Sequence, residues 1–253
     1  MPDASNDRTL TATTRPGLSQ PAARTRPLAL PQAPHWLLLG ISLAAVVVIL
    51  GLTVAHVPGV STTELGVDQG LSLHHIALLT AVAVALNLLF GPVAGLLAIA
   101  AIAAFLLLVR RAPVSALAFG LVAASGWVAS EFFKLLVARQ RPDAALLFDP
   151  LAPESGTDSF PSGHATFAVT LAFAVFFLAR GTRWAKFVAV SGVVVVALVA
   201  WSRLYIGVHY PSDVAGSLLA GTAAVVLLAG LWNRFVPLAL GKASCRHFMH
   251  SPR

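Results

Sequence analysis

Ser202-Arg203-Leu204-Tyr205-Ile206-Gly207-Val208-His209-Tyr210-Pro211-Ser212-Asp213 lies between two long apolar runs, 187–205 and 212–232. Runs of that length read as membrane-crossing helices. The stretch therefore joins two spans and sets Arg203, His209 and Asp213 at their shared end. A charge at the centre of a span costs about 2.5–3.5 kcal/mol on insertion scales, so chains rarely keep one without a partner or a use. A carboxylate four residues from a histidine can hold the ring, and an arginine beside them can hold an anion. A solvated loop with an ordinary ion pair is the plainer reading of the same residues. What stands upstream separates the two.

Composition extends the membrane reading to the whole chain. Of 253 residues, 57% are hydrophobic and 11% charged, too apolar for a soluble domain. The expected fold is all-α, an integral membrane bundle of about six transmembrane helices in one domain, 35–233. A disordered basic tail, 1–34, precedes it, and a basic tail, 234–253, follows. The spans are 36–56, 91–109, 113–137, 162–178, 187–205 and 212–232. The first reads as a retained anchor, because its apolar run is longer than a signal-peptide core and a long polar segment precedes it. Residues 57–75, with Pro58, Gly59, Glu64, Asp68 and Gly70, read as a loop. As one helix, 76–109 would be about 51 Å long, too long for a bilayer. Gly91-Pro92 divides it, leaving either two short spans or an interfacial piece and one span. The single cysteine, Cys245, rules out an intramolecular disulfide.

Basic residues decide between the two layouts. With one crossing at 91–109, thirteen of the 17 lysines and arginines fall on one side, in the tails, at Arg110-Arg111 and in 180–186. Lys134, Arg139, Arg141 and Arg203 fall on the other. Lysine and arginine accumulate on the cytoplasmic side of membranes. Both tails are therefore expected in the cytoplasm, and the four remaining cations on the outer side of the plasma membrane. No basic face interleaved with aromatics accompanies the net charge of +7, so no nucleic-acid partner is expected.

Three segments meet on that second side. Lys134 and Arg141 are seven residues apart, close to two helical turns, and would share a face if the helix persists to Pro142. Pro161-Ser162-Gly163-His164 opens the fourth span, with Ser162 suited to cap it and Gly163 open to close approach. Free N–H groups at that helix start favour an anion. The third segment is the stretch quoted first. Together they offer three cations, a helix N-terminus, two histidines and a carboxylate, surroundings that suit a phosphoryl group in transfer. One histidine can attack phosphorus while the other protonates the leaving oxygen. No carboxylate cluster suited to Mg²⁺ stands near the motifs, so neither metal nor other cofactor is expected.

As KLLVARQRP, PSGH and SRLYIGVHYPSD, these segments resemble the three signature motifs of the type 2 phosphatidic acid phosphatase superfamily. That superfamily takes in lipid phosphate and prenyl pyrophosphate phosphatases, glucose 6-phosphatase, secreted acid phosphatases and vanadium haloperoxidases. The likeness covers about residues 91–232, with eleven motif residues in order and at matching spacing. It implies His209 as nucleophile forming a phosphohistidine, Asp213 as its orienting carboxylate, and His164 as acid to the leaving group and then base toward water. It implies Lys134, Arg141, Arg203, Ser162 and the Gly163 backbone as the phosphate-binding set. It also supports six spans with an outward-facing site.

The expectation is an integral membrane hydrolase of a lipid phosphate or pyrophosphate, of phosphatidate, phosphatidylglycerophosphate or prenyl pyrophosphate type. A phosphotransferase acting on another lipid or sugar would use the same residues. A non-enzymatic phosphate or lipid transporter is the reading from another class, and would place charged groups at the midplane. Oligomeric state is not legible. Glu131, one turn before Lys134, reads as its structural ion pair. His35, His56, His74 and His75 read as interfacial or solvated histidines. Cys245, His247 and His250 have metal-like spacing without a fourth ligand, and read as tail. Trp36, Trp184, Trp201 and Trp232 sit at span ends, as belt aromatics do. Leu146-Leu147-Phe148 suits either a lipid chain or the interface.

Overall fold

A computed structural model describes residues 29–152 and 154–249, with side chains to 236. Most of the expected N-terminal tail, and the side chains of Cys245, His247 and His250, fall outside the described residues. Eight α-helices and no strand make up what is described. They are α1 (Trp36–His56), α2 (Val60–Ser72), α3 (Ala77–Leu89), α4 (Pro92–Ala104), α5 (Pro113–Val137), α6 (Gly163–Ala179), α7 (Ala185–Tyr205) and α8 (Pro211–Met249). A π-helical turn, Phe105–Val109, prolongs α4. Five helices are long and apolar enough to cross a membrane: α1, α4 with its π turn, α5, α7 and α8 as far as Val236. α6 is as apolar but shorter at 17 residues, about 26 Å. The chain is a multi-pass integral membrane protein. α8 stays helical beyond its span, into the segment expected as a tail.

Packing rests on small residues, as expected where lipid removes the usual hydrophobic drive between helices. Phe160 is fully buried between Gly51 of α1 and Gly216 of α8; a Cβ on Gly51 would stand 2.7 Å from its ring. The Thr170 hydroxyl of α6 reaches across to the Ala123 carbonyl of α5 at 2.8 Å, where Gly126 leaves room for it. One buried cluster joins α4, α5, α6 and α8 around Phe119, Val122 and Phe167. A second joins α1, α5 and α8 around Val47, Phe133 and Phe160.

The expectation of a loop at 57–75 is wrong for most of that segment. α2 forms there despite Gly66, Gly70 and four β-branched residues, a composition with poor helix propensity. Tertiary bonds override that weakness. Glu64 on its buried side accepts from the Ser212 amide at 3.1 Å and the Ser212 hydroxyl at 2.7 Å, and pairs with Arg139 at 2.6 Å.

Over 76–109 two helices form, α3 and α4, divided at Gly91-Pro92. The Ile76 amide at the start of α3 donates to the Tyr205 hydroxyl at 3.0 Å, and Asn87 near its end accepts from Arg203 at 2.5 Å. These anchors are 11 residues apart on α3, about 16 Å, yet only two residues apart on α7. Both ends of α3 therefore meet the Arg203–Tyr205 end of α7, and of the two helices in this segment only α4 with its π turn is long and apolar enough to cross a membrane. α1, α5 and α7 run toward this end, and α4, α6 and α8 run away from it. Arg110, Arg111, Arg180, Arg183, Lys186 and Arg234 stand at the opposite end.

Candidate active site

The quoted stretch folds as two helix ends joined by a tight turn. α7 stops at Tyr205, and Gly207 takes φ +79°. Val208 N–H returns to the Arg203 carbonyl at 3.2 Å and Gly207 N–H to Leu204 at 3.0 Å, the bond pair of a Schellman cap. α8 then starts at Pro211, and Asp213 in its first turn accepts the Tyr210 N–H at 2.9 Å, as in a capping box. His209 is thus fixed between two capped helix termini, and it is 2% exposed.

Asp213 is fully buried. Its Oδ2 lies 3.5 Å from His209 Nδ1 and accepts from the Ser159 hydroxyl at 2.5 Å, while Oδ1 accepts from Arg139 at 2.6 Å. With Nδ1 toward Asp213, Nε2 is the free face of the His209 ring. Burial lowers the pKa of His209, and the Asp213 carboxylate pulls it partly back.

The PSGH segment lies beside this pair. Ser162 occupies the N-cap position of α6, and its amide approaches the Asp213 carbonyl at 3.4 Å. Its hydroxyl does not cap, contrary to the sequence expectation. The Ser162 carbonyl receives Thr166 N–H at 3.0 Å and the Thr166 and Ser217 hydroxyls, while Ser162 Oγ is buried with no protein partner. His164 Nε2 donates to the Asn87 carbonyl at 3.1 Å, which leaves Nδ1 as its free nitrogen. A Cβ on Gly163 would stand 3.7 Å from Lys134 Nζ, so this cation sits against the start of α6.

Arg203 shares Asn87 with His164, and its guanidinium is fully buried. Arg203 Nε and Nη2 have no protein acceptor. An unmet buried donor costs about 1–3 kcal/mol, so these nitrogens and the Ser162 hydroxyl form a site built for an acceptor from outside the chain. Arg141 reaches the same place by a different route from the expected one. α5 ends at Val137 with Ala138 left-handed at φ 51°, so Lys134 and Arg141 share no helical face. The 138–160 loop brings Arg141 back instead. Asp158 takes its Nε at 2.7 Å and Nη2 at 3.1 Å, Glu154 takes Nη1 at 2.6 Å, and Nη1 also reaches the Val208 carbonyl at 3.2 Å. The Arg141 bond is the main cause holding Asp158 down to about 2. Asp158 also lies 3.8 Å from Lys134, which pairs with Glu131 at 2.8 Å as expected.

All eight residues singled out from sequence therefore converge at one end of the bundle. Sequence reading missed Arg139 and Ser159, which bond to Asp213, Asn87, which bonds to Arg203 and His164, and Glu64, which bonds to Arg139 and Ser212. Only their proximity to motif residues (Arg139, Ser159) or their polarity in an apolar run (Asn87) could have marked them. His75, expected at the interface or in solvent, has a buried side chain that joins Asp149 at 2.9 Å to the Tyr205 carbonyl at 2.8 Å. The Leu146–Phe148 patch divides: Leu147 packs under Gly207 and against Leu65 and Tyr210, while Leu146 and Phe148 are exposed.

Residues 115–236 match the family model described as PAP2 superfamily. The chain is 31% identical over 119 residues to undecaprenyl-diphosphatase BcrC of Bacillus subtilis (strain 168), covering 47% of this chain and 56% of that protein. It is 36% identical over 88 residues to phosphatidylglycerophosphatase B of the same strain, covering 33% and 43%. The chain thus spans about half the length of these curated relatives. Among solved structures it resembles a transmembrane PAP2 type phosphatidylglycerolphosphate phosphatase from Bacillus subtilis, with TM-score 0.66 and 27% identity over 78% of this chain and 96% of that one.

Proposed function

We propose that this chain, which belongs to the PAP2 superfamily, hydrolyses a phosphate or pyrophosphate ester of a membrane lipid through a phosphohistidine, without a metal ion. The observation that carries the reading is the unmet pair of donors on Arg203 and the unmet Ser162 hydroxyl, buried beside two histidines with free ring nitrogens. The names of the two relatives supply the substrate class, a prenyl diphosphate or phosphatidylglycerophosphate. The position of the site at a bundle end, level with lipid headgroups, fits that class and disfavours a carrier with a midplane site.

His209 Nε2 attacks phosphorus, forming the P–N bond as the P–O bond to the leaving group breaks. Asp213 steadies the ring from Nδ1. His164, protonated on Nδ1, gives that proton to the departing oxygen. It then takes a proton from water, which attacks phosphorus and releases His209. Arg203, Arg141, Lys134, Ser162 and the Gly163 N–H hold the equatorial oxygens, where charge accumulates. Three cations do the neutralising that Mg²⁺ does elsewhere. The basic residues at the opposite end support, by the positive-inside rule, cytoplasmic tails and a site on the outer face of the plasma membrane.

The test is phosphate release by detergent-purified protein in excess EDTA, across prenyl pyrophosphate, phosphatidate, phosphatidylglycerophosphate and a soluble monoester, with and without vanadate. Release from a lipid substrate in EDTA, blocked by vanadate, is expected, because vanadate can take the five-coordinate shape of the in-line transition state. Activity lost in EDTA and restored by Mg²⁺ would falsify the metal-free route. No release from any substrate would remove the phosphatase reading.

A further inference from the structure

We infer that Arg139 is a positioning residue for this reaction: it fixes the Asp213 carboxylate behind His209 and, through Glu64, ties that carboxylate to α2. The inference rests on the phosphatase reading above. Arg139 stands two residues before Arg141 but turns away from the phosphate-binding cations. Its side chain is 1% exposed. Nη1 donates to Asp213 Oδ1 and to the Ser212 hydroxyl, each at 2.6 Å, and Nη2 to Glu64 at 2.6 Å and the Ser61 hydroxyl at 3.0 Å. The guanidinium carbon lies 4.1 Å from the centre of the Tyr210 ring, which limits tilting of the plane.

The two oxygens of Asp213 then have separate tasks. Arg139 holds Oδ1, while the Ser159 hydroxyl, the Tyr210 amide and His209 share Oδ2. Without Arg139 the carboxylate keeps no bond on Oδ1 and can rotate, and the angle it offers to His209 Nδ1 is no longer set. Asp213 and Glu64 flank Arg139, so the buried guanidinium faces a carboxylate on each side. Removing the guanidinium would leave the buried Asp213 charge without its ion-pair partner, the costly way to break such a pair. A lysine at 139 keeps the charge but not the fork, so it reaches one carboxylate well and not both.

A residue that only held the loop and α2 together would lower the yield of folded protein equally in every background. A residue acting through Asp213 loses its effect once Asp213 is changed, and leaves substrate affinity alone because it touches no phosphate oxygen. The experiment measures kcat and KM on a lipid phosphate and on a nitrophenyl phosphate. The proteins are wild type, Arg139→Ala, Arg139→Lys, Glu64→Gln, Asp213→Asn and the Arg139→Ala/Asp213→Asn double variant, each taken from the monodisperse fraction. Orienting partners of reactive groups are worth about 10–100-fold. Arg139→Ala is expected to lose about 100-fold in kcat with KM within about two-fold, Arg139→Lys about 10-fold, and Glu64→Gln a smaller factor. In the Asp213→Asn background Arg139→Ala should cost less than about two-fold. Any of three results overturns the inference: kcat unchanged in Arg139→Ala, a loss appearing in KM instead, or the same loss in the Asp213→Asn background. If Arg139→Ala yields no monodisperse protein, the Lys and Gln variants decide, and wild-type kcat in both overturns it. A wild-type protein that releases no phosphate overturns the function itself, and the role of Arg139 with it.

Discussion

His209 and His164 are imidazoles in one cationic site, and their hydrogen bonds give them different work. Nδ1 of His209 faces a carboxylate, whereas Nε2 of His164 is bound to a carbonyl. Burial lowers the pKa of His209 below that of a free imidazole, about 6.5. The neutral, nucleophilic ring therefore persists to lower pH than a free histidine would, and is lost only as pH falls through the lowered value. The acid limb of kcat/KM, measured from about pH 4 to 9, is expected below about pH 6.5. A limb near pH 7 or above would mean that Asp213 outweighs burial. His164→Ala is expected to cost about 10²–10⁴-fold on a lipid phosphate, as loss of a general acid does. The cost should be much smaller on a nitrophenyl ester, whose leaving group needs little protonation. Equal losses on both substrates would remove His164 as the acid.

At the scale of the element, the turn between α7 and α8 carries His209, the proposed nucleophile, and Gly207 makes the turn possible. Its φ of +79° is a conformation an L-residue adopts at a cost, and a Cβ there would collide with Leu147. Gly207→Ala is therefore expected to destabilise by about 1–3 kcal/mol and, by displacing His209 two residues on, to lower kcat. Gly59, also left-handed at φ 84° but with nothing within 4 Å of a Cβ, is the control. Gly59→Ala should lower the Tm less and leave kcat unchanged. Matching Tm losses in detergent for the two variants would show that the contact with Leu147 carries no weight. The 138–160 loop is the other element that brings a charge to this end of the bundle. It delivers Arg141 by folding back onto Asp158 and Glu154, where the sequence pattern alone pointed to a continued helix.

For the whole molecule, the distribution of charge predicts which end meets the outside. A thiol introduced at Ala152, near the site, should react in intact cells with a membrane-impermeant reagent, and one at Thr182, between α6 and α7, should not. The reverse pattern would put the site in the cytoplasm. The layout behind this prediction was largely legible in the sequence, because spans are written locally: runs such as 36–56 and 187–205 declare themselves by length and hydropathy. The residues that converge at one end of the bundle were legible as well, since each motif keeps its residues within about a dozen positions, as His209 and Asp213 do. What lay beyond the sequence depends on partners far apart in the chain. Glu64 and Arg139 are 75 residues apart and Asn87 and Arg203 are 116 apart, and no local pattern encodes such pairs. α2 looked like a loop because its helix is held by Arg139 and Ser212 and not by its own propensity. Ser162 looked like a cap, but other hydroxyls took its carbonyl and left its own hydroxyl free. The sequence determined which polar residues meet at the span ends and where the apolar helices run. The tertiary structure decided which cations turn toward His164 and His209 and which, like Arg139, turn back to hold Asp213, because a buried guanidinium goes where its acceptors are.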